Sequence, residues 1–334
     1  KRIQISIREI LLALALFTYI YISKHTWSDI IVITLVPTLF TFVGKYITID
    51  EFSEKGGEKR ILFLVMVYVL GYSIHGLLNA IIYFQQGFAG AGRSWNDIWG
   101  KNLLATHQNI YVLPLLALMF PAFIYLKKYV LICISVVIGG VFFLYYSIDS
   151  LSRIPVMIWG ICLLWGLVLF FIFNKNRKAE YPGIKKIVIG FVILLAIAIL
   201  VIISNFDTIK NLAFVQRMSS GGGIIHNIRF RAQINAIRQL FDYPFGGYQM
   251  DLCGLKHCHN VWLDIANAGG LIPFGLMIAY TILSAVDVVR FLYSTRIGIG
   301  LKYIVSSLYL SLILYYIVEP ALMADVRFFV PWTY

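Results

Sequence analysis

Tyr129 to Ser147 reads YVLICISVVIGGVFFLYYS, nineteen residues without a charge. A run of that length matches the path of an α-helix across a bilayer core, at about 1.5 Å per residue over about 30 Å. Its flanks differ in kind. Lys127 and Lys128 precede it, and Asp149-Ser-Leu-Ser-Arg-Ile-Pro155 follows. Because basic residues collect in cytoplasmic loops, the lysine pair marks the inner end of the segment and Arg153 stands at its outer end.

Working outward, the same template predicts spanning helices at roughly 6–23, 29–46, 61–84, 110–126, 129–147, 156–174, 187–204, 261–289 and 303–319, with a tenth starting near Phe328. The expected fold is therefore an all-α polytopic membrane protein of about nine or ten transmembrane helices. It forms a single integral membrane domain over 1–334, with a large extracytoplasmic loop at 205–260 that carries an amphipathic helix. Composition agrees, since 60% of the 334 residues are hydrophobic and 13% are charged. The first apolar run, Ile10 to Ile22, lacks a following small-residue cleavage site and reads as a spanning helix rather than a signal peptide.

The basic clusters test the helix assignment. Lys1, Arg2 and Arg8; Lys55, Lys59 and Arg60; Lys127 and Lys128; Lys175, Arg177, Lys178, Lys185 and Lys186; and Arg290, Arg296 and Lys302 all fall on one face if nine helices are threaded in order. That face is expected to be the cytoplasm, and the protein is expected in the cytoplasmic (inner) membrane as a multi-pass chain. The net charge of +12 is then accounted for by inner loops and lipid headgroups, so no nucleic acid is implied.

The expected outer loops are 24–28, 85–109, 148–155, 205–260 and the tail after Glu319. They hold arginines that run against the topological bias: Arg93, Arg153, Arg217, Arg229, Arg231 and Arg238. A guanidinium suits phosphate through paired hydrogen bonds, and an outer membrane face presents phosphate as lipid headgroups or lipid-linked diphosphates. From Arg229 onward, Phe230, Ile234, Ile237 and Phe241 recur at helical spacing, with Arg231, Asn235 and Arg238 on the opposite face. This predicts a helix lying at the membrane surface with its apolar side down, ended by Asp242-Tyr-Pro-Phe-Gly-Gly247.

His257-Cys-His-Asn260 then leads into the apolar run Val261-Trp-Leu-Asp-Ile265. Asn260 is a good N-cap, so His259 faces a helix N-terminus whose field favours a neutral imidazole able to accept a proton. His257 competes for that role, and spacing does not separate them. Cys133 and Cys162 read as buried small hydrophobes within apolar runs, whereas Cys253 and Cys258 sit in the polar loop, where an oxidising side would permit a disulfide. Cys253, His257, Cys258 and His259 are also zinc-ligand types, but one crowded segment is unlike the two separated pairs of structural zinc sites. Ser219-Ser-Gly-Gly-Gly223 reads as a hinge, since no Lys-Ser/Thr follows to make a P-loop. With no carboxylate cluster for a metal-bound sugar nucleotide and no serine triad order, the reading expects neither metal nor cofactor.

These motifs together resemble the O-antigen ligase and O-antigen polymerase superfamily of bacterial membrane glycosyltransferases. The pattern lies in Arg231 to Gly247, with its Ala236 and Pro-x-Gly turn; Ser152-Arg153 before a span; His259-Asn260-Val-Trp-Leu263 followed by Gly269-Gly270; and Glu319-Pro320. The resemblance covers most of the chain from about Phe63. Departures are Asn235 where the family has an aromatic, Asp264 where it has Glu, and Pro273 where Gly is common. The Cys253/Cys258 pair is no part of the pattern.

The resemblance implies action on undecaprenyl-diphosphate-linked oligosaccharides at the extracytoplasmic face, without metal. Carried over, Arg153 and Arg231 bind the diphosphate and His259 is the catalytic base. Arg93, Arg229, Arg238 and His257 are further substrate-binding candidates. The favoured activity is a polysaccharide polymerase that transfers the chain to another lipid-linked repeat unit, with membrane lipid and a chain-length regulator protein as expected partners. The alternatives are an O-antigen ligase that transfers to lipid A-core, and a transporter or flippase of an anionic lipid-linked substrate. His75 and Asn79, inside the third span, read as structural hydrogen-bonding residues.

Overall fold

The computed structural model describes residues 5–23, 31–48, 57–88, 93–125, 129–174, 189, 204, 215–216 and 227–319. The span expected over 187–204 falls almost wholly outside these. So do the loop 24–28, most of 205–226 including Arg217 and Ser219 to Gly223, Pro320, and the helix expected near Phe328.

The chain is an all-α polytopic membrane protein. In order it runs α1 (Ile7–Ile22), a π-helical turn (Ile31–Leu35) continuing into α2 (Val36–Thr48), α3 (Gly57–Gln86), β1 (Ser94–Asn96), β2 (Asn102–Leu104) and α4 (Ala105–Tyr125). There follow α5 (Val130–Asp149), α6 (Arg153–Asn174), α7 (Ile228–Arg238), α8 (Val261–Gly269), α9 (Leu271–Tyr293) and α10 (Ile299–Val318). Among the described residues, α3, α5, α6, α9 and α10 are long and apolar enough to cross a membrane. Large apolar side chains such as Leu131, Ile138, Leu164 and Phe171 stand exposed on these helices, which suits lipid and not water as their surroundings.

One sequence expectation changes. The single helix expected at 261–289 is broken in two at Gly270, whose φ of 82° no L-residue adopts readily. The chain comprises two compact units. The first comprises 1–68, 224–302 and 312–334, and the second 69–223 and 303–311.

In the first unit, α1 packs antiparallel on α9. At one end, Arg8 Nη1 meets Asp287 Oδ2 at 2.8 Å and Lys45 Nζ meets the buried Glu9 at 3.3 Å, while the amide of Gly298 donates to Glu58. At the other end, Tyr19 near the close of α1 packs against Gly269. A side chain at Gly269, the last residue of α8, would press on Pro273 and on the Tyr19 backbone, so the missing Cβ lets α8 lie close against α1. The loop joining α7 to α8 lies at this second end, away from the end that gathers Arg8 and Lys45.

The second unit is built on α4, α5, α6 and part of α3. Its core joins Tyr83, Trp95, Val112, Leu116, Met119, Phe143 and Tyr146. The β1–β2 hairpin, with Trp95 opposite Leu103, drops the Trp95 ring into this core, and its Nε1 donates to Asn79 O at 3.1 Å. Asn79 also bonds Gln108 (3.3 Å) and accepts from the Ile98 amide (3.1 Å), while His75 packs at a tilt against Tyr111 with ring centres 4.3 Å apart. Both are thus tied to neighbouring elements, as expected of polar groups within an apolar bundle.

Candidate active site

Helix α7 is opened by Asn227, whose side chain accepts from the Arg229 amide at 2.9 Å. It presents three faces, where the sequence predicts two. Ala232 and Ala236 are fully buried and, with Leu240, pack against Met250, Leu252, Cys258, Leu263 and Ala266. Small side chains here let α7 approach the rest of the unit closely. The predicted apolar face is turned outward instead: Ile237 is 55% exposed and Phe241 is 80% exposed. Arg231 and Arg238 occupy the third face, both exposed. Among the described residues no hydrogen bond or ion pair engages the Arg231 guanidinium.

After α7 the chain folds back on α8 through backbone contacts that only glycine permits. Gly246 and Gly270 both have positive φ, and a side chain on Gly246 would strike Ala268 O and Gly270 N, while one on Gly270 would strike Pro244 O. The approach is sealed by Gly247 N to Ala268 O (3.0 Å), Tyr248 N to Asn267 O (2.8 Å) and Leu271 N to Pro244 O (2.8 Å). The Pro-x-Gly turn and the Gly269-Gly270 pair are therefore two halves of one contact.

The descending loop is held by carboxamide and carboxylate groups rather than by a disulfide. Gln239 Oε1 accepts from the Asp251 amide at 3.0 Å. Asp264, 2% exposed, accepts from the amides of Cys258 (2.6 Å) and Asn260 (3.3 Å). Burial raises its carboxyl to about 6, although those amides and His259 pull the other way. Cys253 and Cys258, for which the sequence permits a disulfide, are not bonded to each other in this structure. Cys258 is buried against the alanine face of α7, with burial pushing its thiol up, and Cys253 Sγ accepts from Asn235 Nδ2 at 3.3 Å. Among the described residues no three His, Cys, Asp or Glu side chains converge as a metal-ligand set.

His259 has φ of 56° and is followed by Asn260, which caps α8 by accepting from the Leu263 amide at 3.2 Å. Its carbonyl accepts from Gln233 Nε2 at 3.2 Å, which ties the histidine to α7. Its Nδ1 lies 3.5 Å from Oε2 of Glu319, a carboxylate at the end of α10 that is 1% exposed. The other oxygen of Glu319 accepts from Arg229 Nη1 at 3.1 Å, and the same nitrogen reaches Val318 O at 3.3 Å. Among the described residues no carboxylate pairs with His257; burial and then Lys256 and His259 depress its imidazolium. The geometry thus separates two histidines that spacing left equal.

The remaining arginines belong to the second unit. Arg153 is the first residue of α6 and half-buried, and the turn before it is fixed by Ser152 Oγ donating to Asn109 Oδ1 at 2.8 Å. Arg93, a substrate-binding candidate from sequence, spends its Nη1 on the carbonyls of Ser150 (3.3 Å) and Leu151 (3.1 Å). It clamps the turn that presents Arg153. Arg229 is likewise engaged, with Glu319.

Sequence reasoning missed Gln233, Asp264 and the role of Glu319. For Glu319 a signal existed: a carboxylate closing an apolar helix is costly to bury unless a cation meets it. No protein-family model matches the chain, and no curated protein matches it. The functional reading therefore stands on the residues themselves.

Proposed function

We propose that the chain is a metal-independent, inverting membrane glycosyltransferase that polymerises undecaprenyl-diphosphate-linked oligosaccharides at the extracytoplasmic face of the cytoplasmic membrane. What carries the reading is the bond from Gln233 to the His259 carbonyl. It fastens a partly exposed histidine to the helix that bears the uncommitted Arg231.

In the reaction, the hydroxyl of an acceptor sugar attacks the anomeric carbon of the lipid-linked chain. The hydroxyl proton passes to a ring nitrogen of His259, the new C–O bond forms, and the bond to the diphosphate breaks with its electron pair on the leaving oxygen. Arg231 stabilises that developing charge through charge-assisted hydrogen bonds. Two features support an anion there. Arg231 is a cation, and it lies in the first turns of α7, a helix end whose partial charge is also positive. A bound diphosphate satisfies both cation and helix end. The exposed Ile237 and Phe241 suit a site at the lipid boundary, where a polyprenyl substrate resides.

The test is incubation of the purified protein with a synthetic undecaprenyl-diphosphate oligosaccharide and no added metal. A ladder of longer glycans supports the polymerase. Transfer only to supplied lipid A-core makes it a ligase, and neither product returns the chain to the transporter class.

A further inference from the structure

The buried Glu319 and the half-buried Arg229 form a pair for which diphosphate binding gives no use. The carboxylate is 1% exposed, held on one oxygen by Arg229 at 3.1 Å. Its second oxygen and Nδ1 of His259 are both buried, both lack a hydrogen-bond partner among the described residues, and face each other at 3.5 Å. Two unsatisfied groups at that separation are an unclosed hydrogen bond, of the kind that tightens when substrate fills a site.

We infer that Glu319 is a positioning residue for His259, with Arg229 the counter-ion of Glu319 and no ligand of the substrate. The inference rests on His259 being the base. A proton on Nδ1 donated to Glu319 leaves the lone pair on Nε2, and it is Nε2 that takes the acceptor hydroxyl proton. Glu319 accepts the Nδ1 hydrogen bond and stabilises the imidazolium once formed. Arg229 holds the carboxylate in place from the far side, so the order across the site is guanidinium, carboxylate, imidazole. Gln233 fixes the backbone of the same histidine, and ring and main chain are thus fastened separately.

The experiment combines a spectroscopic and a kinetic measurement. In protein labelled with 15N-histidine, the His259 signals, assigned by their loss in His259→Ala, report which ring nitrogen carries the proton. Wild type is expected to hold it on Nδ1, and Glu319→Gln to shift the population toward Nε2. An unchanged tautomer overturns the inference. In the polymerisation assay Glu319→Gln is expected to lower kcat about 10- to 100-fold with little change in KM. Glu319→Asp, which keeps the charge one methylene further back, should recover part of that rate; Asp ranking below the isosteric Gln indicates packing alone and overturns it. Arg229→Ala in the Glu319→Gln background should cost nothing further, whereas additive losses with raised KM return Arg229 to the diphosphate. If wild type makes no ladder, the proposed activity fails while the tautomer still decides the pairing.

Discussion

An arginine in the first turn of a helix sits at the wrong end of the dipole, and Arg153, Arg229 and Arg231 all do so. Arg229 is compensated by Glu319. For Arg231 no protein group among the described residues does this, so the loss of its guanidinium should be felt in the reaction. Arg231→Ala is expected to lower kcat/KM roughly 10²- to 10³-fold, and Arg231→Lys to recover little, because an ammonium cannot make the paired contact. His259→Ala should cost about 10²- to 10⁴-fold in the same ladder assay. Asp264 makes a different prediction. Its carboxyl is raised to about 6 by burial, so the folded chain binds a proton more tightly than the unfolded one. Stability should then fall as pH rises from the ordinary carboxylate range to about 6, and level off above. Thermal unfolding in detergent across that window measures this, and Asp264→Asn should flatten the dependence. The outer arginines were legible in the sequence because they run against a topological bias, and His259 because it precedes the N-cap Asn260. Glu319 was legible only as part of a pattern, since its partner His259 is close in space and far along the chain.

At the scale of elements, the break between α8 and α9 is the most constrained point of the loop. Gly270→Ala should destabilise the protein by about 2 kcal/mol or more, through positive φ and through collision with Pro244. A loss of melting temperature in detergent, larger than for an alanine at the open Gly275, is the expected measurement. Helix α7 carries a second expectation. Spin labels at Ile237 and Phe241 should be reached by lipid-soluble oxygen, and a label at Arg238 by aqueous relaxation agents. The periodicity of α7 was readable from the sequence, but its docking face was not. Helical spacing highlights bulky apolar residues, and this helix docks through two alanines. The break at Gly270 was hidden for a related reason: the apolar run continues through it, and apolarity alone does not reveal where a helix axis stops.

For the whole molecule, the spanning helices were the most legible feature, because lipid asks only for length and the absence of charge. The β1–β2 hairpin escaped notice because its strands are three residues each, too short to show alternation. Within the first unit, Arg8 and Lys45 gather at one end and the α7–α8 loop at the other. Single cysteines at Arg290 and Lys256 should therefore be labelled by an impermeant reagent from opposite sides of sealed vesicles. Labelling of both from one side would contradict the threading.

The buried carboxylate at the end of α10 also sets a schedule. A ribosome makes the chain from its first residue onward, so α7, the glycine contact and His259 all emerge before Glu319 does. Until the last turn of α10 enters the membrane, Arg229 has no counter-charge and the His259 ring has nothing to hold Nδ1. The nascent protein thus carries Arg229 and His259 without their shared carboxylate until α10 is inserted.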